Sequence, residues 1–185
     1  TRKKFVNYWV HARHLLVNGG KMSNSLGNFY TLRDLLSKGH KPKAVRYLLL
    51  SAHYRTKLNF TEQALKGAQS TLDSMEEFIV NLRSVRDGKY SKVVSDSLEK
   101  LKKDFVKAMD NDLNIPLALS IMFNFMKDAN KQMTRGRIDK KNANDILDSF
   151  FRLDEILGLG LSLSSSVWFT IDEAPSGVKE LIIKR

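Results

Sequence analysis

The stretch Gly19-Gly20-Lys21-Met22-Ser23-Asn24-Ser25-Leu26-Gly27-Asn28 holds the residue types and spacing that suit chemistry on phosphate. Glycines let a loop turn backbone N–H groups toward an anion. Ser23 and Ser25 add hydroxyl donors, and Lys21 adds a mobile cation. Such a loop can close on a triphosphate and offset the charge that develops on a leaving pyrophosphate. It is not a phosphate loop of the Gly-Lys-Ser type, because the next helix signal comes only at Thr31. The same residues also suit an ordinary solvated loop, so their surroundings must decide. Arg55, Lys57, Arg135 and Arg137 are further candidates for contacting phosphate, and a solvated surface role fits each of them equally well.

Charge is the first such surrounding. Residues 1–60 carry 12 Lys and Arg and a single acid, Asp34, whereas residues 61–185 carry 19 of each sign. The whole net charge of +11 therefore lies in the first third of the chain. One-sided charge of that density suits an anionic partner such as RNA. Hydrophobic residues at 42% and charged residues at 28% give the profile of a soluble globular protein. The apolar runs, such as Tyr47 to Leu50, are too short to span a bilayer. There is no cysteine, which excludes disulfides and thiolate metal ligands from this chain. His11, His14, His40 and His53 show no metal-ligand spacing with carboxylates, so no metal site is expected here.

The elements that position the loop follow from turn and cap signals. Lys4 to Val17 is rich in Phe, Tyr, Trp and Val and reads as extended. Asn18-Gly19-Gly20 supplies the left-handed positions of a hairpin turn. Thr31 and Asp34 cap a short helix stopped by Gly39, and Pro42 opens a second. Ser51 to Asn59 reads as a basic connector.

From Thr61 the texture changes. Leu65, Ala68, Leu72, Met75, Ile79 and Leu82 form one seam along a helix of about 25 residues, roughly 38 Å, ending at Gly88. A helix over Ser91 to Met109 follows, then one from Asn114 with Pro116 in its first turn, then one after Asp139 that ends at Gly158. The expected fold is mainly α: a small α/β segment bearing the loop at 1–60, then an antiparallel four-helix bundle at 61–159. A linker and the start of a C-terminal helix are expected at 160–185. A first residue of Thr and an unfinished last helix suggest a piece of a longer chain.

The loop resembles the Lys-Met-Ser-Lys-Ser signature of class I aminoacyl-tRNA synthetases, and its surroundings are similar to those of cysteinyl-tRNA synthetases in particular. The matching blocks are Tyr8-Trp9-Val10-His11, the extended signature through Phe29 with Thr31-Leu32-Arg33-Asp34-Leu35-Leu36, and Arg46 to Arg55. Met109-Asp110-Asn111-Asp112-Leu113-Asn114-Ile115-Pro116 and Val178-Lys179-Glu180-Leu181-Ile182 also match, in the same order, so the likeness covers almost the whole chain.

The resemblance implies an ATP-driven ligase that forms cysteinyl-adenylate and then transfers cysteine to its tRNA, tRNA(Cys), in the cytoplasm as a monomer. ATP enters as its Mg complex. Lys21, Met22, Ser23, Asn24 and Ser25 lie over the ATP phosphates, with Lys21 as the catalytic cation. The bundle is of the anticodon-binding type.

The sequence departs from the signature at Asn24, where the family has lysine. An amide donates a hydrogen bond but brings no charge, so a tuned loop and an impaired one are both open. Lys21, Lys41 or Lys43 is expected to compensate. The family's His-Ile-Gly-His motif and its zinc site, which selects the cysteine thiolate, are absent from this chain and are expected in a missing N-terminal catalytic domain. The 185-residue piece alone is then expected to lack ATP–pyrophosphate exchange and stoichiometric zinc. Two other readings keep the architecture: a non-catalytic RNA-binding helical module, and a related ligase that attaches cysteine to an amino-sugar.

Overall fold

Asn18 and Gly19 both take left-handed backbone, with φ of 50° and 80°, the geometry that closes a two-residue hairpin with the native strand twist. In the computed structural model, which describes residues 3–23, 25 and 27–162, this hairpin joins β1 (Leu16–Val17) to β2 (Gly20–Lys21). Leu16 lies opposite Lys21 and Val17 opposite Gly20. Gly20 thus belongs to a strand, and the turn is one residue shorter than Asn-Gly-Gly suggests.

On the other edge of β1 runs β3 (Asn59–Phe60), parallel, giving the order β2-β1-β3. The Asn59 side chain accepts the Gly19 N–H at 2.8 Å, which ties the hairpin turn to β3. β3 begins at the last residue of the stretch that reads as a connector and is not expected from the sequence, since two residues leave no alternation to detect.

The extended expectation for Lys4 to Val17 holds as a strand only at Leu16–Val17. Strand-type residues form a ladder only where a neighbouring chain takes up their polar backbone groups. Residues 4–15 lie outside regular structure, although Arg13 N–H reaches the Tyr54 carbonyl at 2.8 Å. Phe5, Tyr8 and Trp9 stand 89%, 87% and 70% exposed.

The two short helices form where their caps place them. Thr31 and Asp34 exchange backbone hydrogen bonds in a capping box at the start of α1 (Leu32–Ser37), and Gly39 follows with φ 83°. Pro42 occupies the first turn of α2 (Pro42–Leu50), where its missing N–H costs nothing.

The remaining described chain is four antiparallel helices: α3 (Glu62–Ser84), α4 (Lys92–Asp110), α5 (Ile115–Thr134) and α6 (Lys140–Leu157). Thr61, Ser91, Asn114 and Asp139 each accept a first-turn backbone N–H on their side chain. The core centres on Phe78, Phe105, Met122 and Phe150, with the Phe78 and Phe150 rings 5.2 Å apart. The protein is therefore mainly helical with a three-stranded sheet at one end.

Two joints differ from expectation. α3 stops at Ser84 rather than Gly88, because Val85 turns to extended backbone. Gly88 instead permits a close approach, since a Cβ there would sit 2.1 Å from the Ile138 carbonyl oxygen. The core also runs past the Gly158 cap, through buried Leu159 and Leu161. The expected linker and C-terminal helix otherwise lie outside the described residues.

Candidate phosphate loop and nucleic-acid interface

β2 delivers Lys21 to the start of the signature loop with an exposed side chain. Met22 is half-buried and lines an apolar cavity of about 340 Å³ together with Leu15, Val17, Tyr30, Leu35 and Phe60. An apolar residue between polar ones thereby anchors the loop's base to the core. Ser23 and Ser25 have their hydroxyl oxygens 2.7 Å apart. Asn28 closes the loop with its side-chain amide: its Oδ1 accepts the Ser23 N–H at 2.9 Å, and its Nδ2 donates to the Lys21 carbonyl at 3.0 Å. Lys21, Met22, Ser23 and Ser25 are thus gathered in one loop, whereas Asn24 lies outside the described residues.

Of the three lysines expected to stand in for the missing signature cation, Lys41 and Lys43 are engaged with carboxylates. Lys43 is buried, bonded to Glu76 at 3.1 Å and to the Gly160 carbonyl at 3.0 Å. Lys41 pairs with Asp73 at 3.4 Å. Both sit at the start of α2 against carboxylates of α3, because the packing of α2 on α3 turns that end toward the bundle. Arg46 is also committed inward, its Nε donating to the Leu157 carbonyl at 2.7 Å.

Arg55 is exposed but paired. Its Nε lies 2.6 Å from Asp112 Oδ2, and its Nη2 donates to Asp112 Oδ1 at 3.1 Å. Tyr54 O–H donates to the same carboxylate. The His53 ring completes the cluster as its Nε2–H tautomer, donating to the Asp112 carbonyl at 3.0 Å while Nδ1 accepts the Arg55 N–H at 3.2 Å. Asp112 sits in the α4–α5 corner with φ 59°. The cluster therefore latches the chain before β3 to one corner of the bundle, and Arg55 reaches a phosphate only by sharing that carboxylate. Lys57 is exposed two residues before β3.

The Tyr54 hydroxyl, and after it Arg55, hold the Asp112 carboxyl below its ordinary range. A carboxylate with a depressed folded-state pKa contributes stability that is present above its unfolded value and is lost as pH falls through the folded one. The carboxylate's share of the latch is thus present at neutral pH and weakens in acid. Tyr54→Phe is expected to move the Asp112 titration, followed by carboxyl-carbon NMR, upward toward the ordinary value. An unmoved titration in that variant means that Tyr54 does not hold the carboxylate.

Arg135 and Arg137 are exposed in the α5–α6 turn, about 30 Å along α5 from Asp112 by helix rise. They do not share a patch with Arg55. Their neighbours are residues that sequence reasoning missed. Lys89 N–H donates to the Gly136 carbonyl at 3.0 Å, and Lys141 Nζ stands 5.6 Å over the Tyr90 ring. With Arg86 and Lys140, this makes a cationic tip with an exposed aromatic ring, only lightly offset by Asp87 and Asp139. The signal was present in the sequence: in an antiparallel bundle the first and third joints share an end, and both joints here are basic.

Among the described residues no group of three His, Cys, Asp or Glu can hold a metal ion. The donors among these residues do not fit a zinc site. No described helix is long and apolar enough to cross a membrane.

A lysine-bearing loop off a β-hairpin, followed by a capped helical stalk, defines a class. Residues 1–70 match the family described as tRNA synthetases class I (C) catalytic domain, and residues 104–162 match the DALR domain. The cysteine–tRNA ligase of Chlamydia felis (strain Fe/C-56) is 39% identical over 189 residues, covering 100% of this chain and 38% of that protein. That of Protochlamydia amoebophila (strain UWE25) is 42% identical over 85% of this chain and 33% of its own length. That of Brachyspira hyodysenteriae (strain ATCC 49526 / WA1) is 40% identical over 84% and 33%. The chain belongs to the cysteinyl-tRNA synthetase family. It spans little more than a third of the length of these relatives.

Proposed function

We propose that this chain works as the C-terminal part of a cysteine–tRNA ligase, an ATP-dependent cytoplasmic enzyme. In the first step the cysteine carboxylate attacks the α-phosphorus of Mg-bound ATP, and the bond to pyrophosphate breaks. In the second, the 3′ end of tRNA(Cys) attacks the adenylate carbonyl and AMP leaves. Residues 1–60 supply the loop to the catalytic region, and residues 61–159 supply an RNA-binding stalk. The observation that carries this reading is the exposed Lys21 at the base of a loop that also bears the Ser23–Ser25 hydroxyl pair and is closed by Asn28. A cation and hydroxyl donors gathered on one loop can meet charge that develops on a phosphate.

The RNA-binding half rests on the cationic tip. Arg and Lys contacts to phosphate release counterions, so each one steepens the salt dependence of binding. The double variant Arg135→Ala/Arg137→Ala is expected to weaken tRNA binding and to reduce the slope of log K against log salt by about 1–2. A titration with purified tRNA at several salt concentrations measures it, and an unchanged slope removes the tip from the interface. Binding of tRNA also separates this reading from an amino-sugar ligase.

A further inference from the structure

We infer that Asn28 is the positioning residue for Lys21. This rests on the phosphate-loop reading above. Asn28 stands seven residues after Lys21, yet its one amide group engages the backbone on both sides of Met22, the Lys21 carbonyl and the Ser23 N–H. Neither partner is replaced easily. An amide is the side chain that offers a donor and an acceptor side by side, so a single residue satisfies a carbonyl and an N–H that point the same way.

The fold prepares this clamp. Gly27 takes left-handed backbone, φ 64°, just before Asn28. Gly20 lies beneath it, where a Cβ would approach Asn28 Nδ2 at 3.8 Å. β2 fixes Lys21 against Leu16 on the other side. The Lys21 backbone is therefore held by the hairpin ladder before it and by Asn28 after it. The cation swings from a fixed root. With asparagine at position 24, Lys21 is the only lysine that the signature loop supplies, so its placement matters more here than in a loop with two.

The test uses the complete ligase. Asn28→Ala is expected to lower kcat of ATP–pyrophosphate exchange by about 10- to 100-fold, the scale of a misplaced catalytic group, with the KM for cysteine unmoved. Asn28→Asp keeps an acceptor for Ser23 but turns an oxygen toward the Lys21 carbonyl, and it is expected to fail similarly. In a Lys21→Ala background the Asn28→Ala change should cost about twofold or less, because residues acting as one unit are not additive. Amide exchange at Ser23 should quicken in Asn28→Ala while the bundle amides stay protected. Fully additive losses, or normal exchange activity in Asn28→Ala when Lys21→Ala is slow, overturn the positioning role alone. A silent Lys21→Ala overturns the phosphate reading together with it.

Discussion

Lys21→Ala in the complete ligase is expected to slow cysteinyl-adenylate formation by about 100- to 1,000-fold, the usual loss when a fixed donor to developing charge is removed. Cysteine binding should be nearly unchanged, since the role proposed for the loop's cation is toward phosphate. The structure sharpens this expectation because four other cations of the front third are engaged elsewhere. Lys41 and Lys43 pair with Asp73 and Glu76, Arg46 donates to the Leu157 carbonyl, and Arg55 is held by Asp112. Each of these four would have to leave a partner to replace Lys21. Pyrophosphate exchange and equilibrium cysteine binding, measured on the same variant, decide it. A variant that exchanges at the parental rate leaves Lys21 without a role in that step.

The largest expected effect on stability lies elsewhere, at Asp154. This aspartate is 4% exposed, and its two oxygens accept the N–H groups of Leu159 and Leu161 at 2.7 and 2.6 Å. The turn it folds, from Leu157 to Leu161, presents the Leu157 and Gly160 carbonyls to Arg46 and Lys43 of α2. Asp154→Ala strands two buried donors and frees the segment on which α2 rests. The expected loss is about 3 kcal/mol, a fall in the unfolding midpoint of roughly 6–12 °C for a domain of this size. Asp154→Asn retains one acceptor and should fall between the two. A thermal midpoint within a degree of the parent would refute the assignment.

The helices were legible because independent local signals agree on them. Thr31 with Asp34, Pro42, Asn114 with Pro116, and Asp139 with Gly158 mark helix ends where the structure has them. The seam from Leu65 to Leu82 is buried throughout. Local rules failed where a distant partner decides the outcome. β3 exists because Leu16 and Val17 run beside it, and Gly88 marks a contact with Ile138 rather than a helix end.

Charge summed along the chain was likewise an incomplete guide to where cations are exposed. Adding it along the chain gives a first third at +11, but three of those cations meet carboxylates from the later, neutral two thirds. At the other end, neutrality in sequence hides a cationic tip that appears only when two joints come together. The loop's residue types were legible from the motif. The role of Asn28 was not, because it depends on which backbone groups the hairpin leaves facing it.

The Lys41–Asp73, Lys43–Glu76 and Arg55–Asp112 pairs carry a consequence for recombination between relatives. A chimaera joining this front half to a foreign stalk would inherit buried Lys43 without an assured counterion, and an uncompensated buried charge is among the costliest defects a graft can carry. The exchangeable unit is therefore not the stalk cut at Thr61 but the stalk together with α2, and a viable splice falls between Gly39 and Lys41.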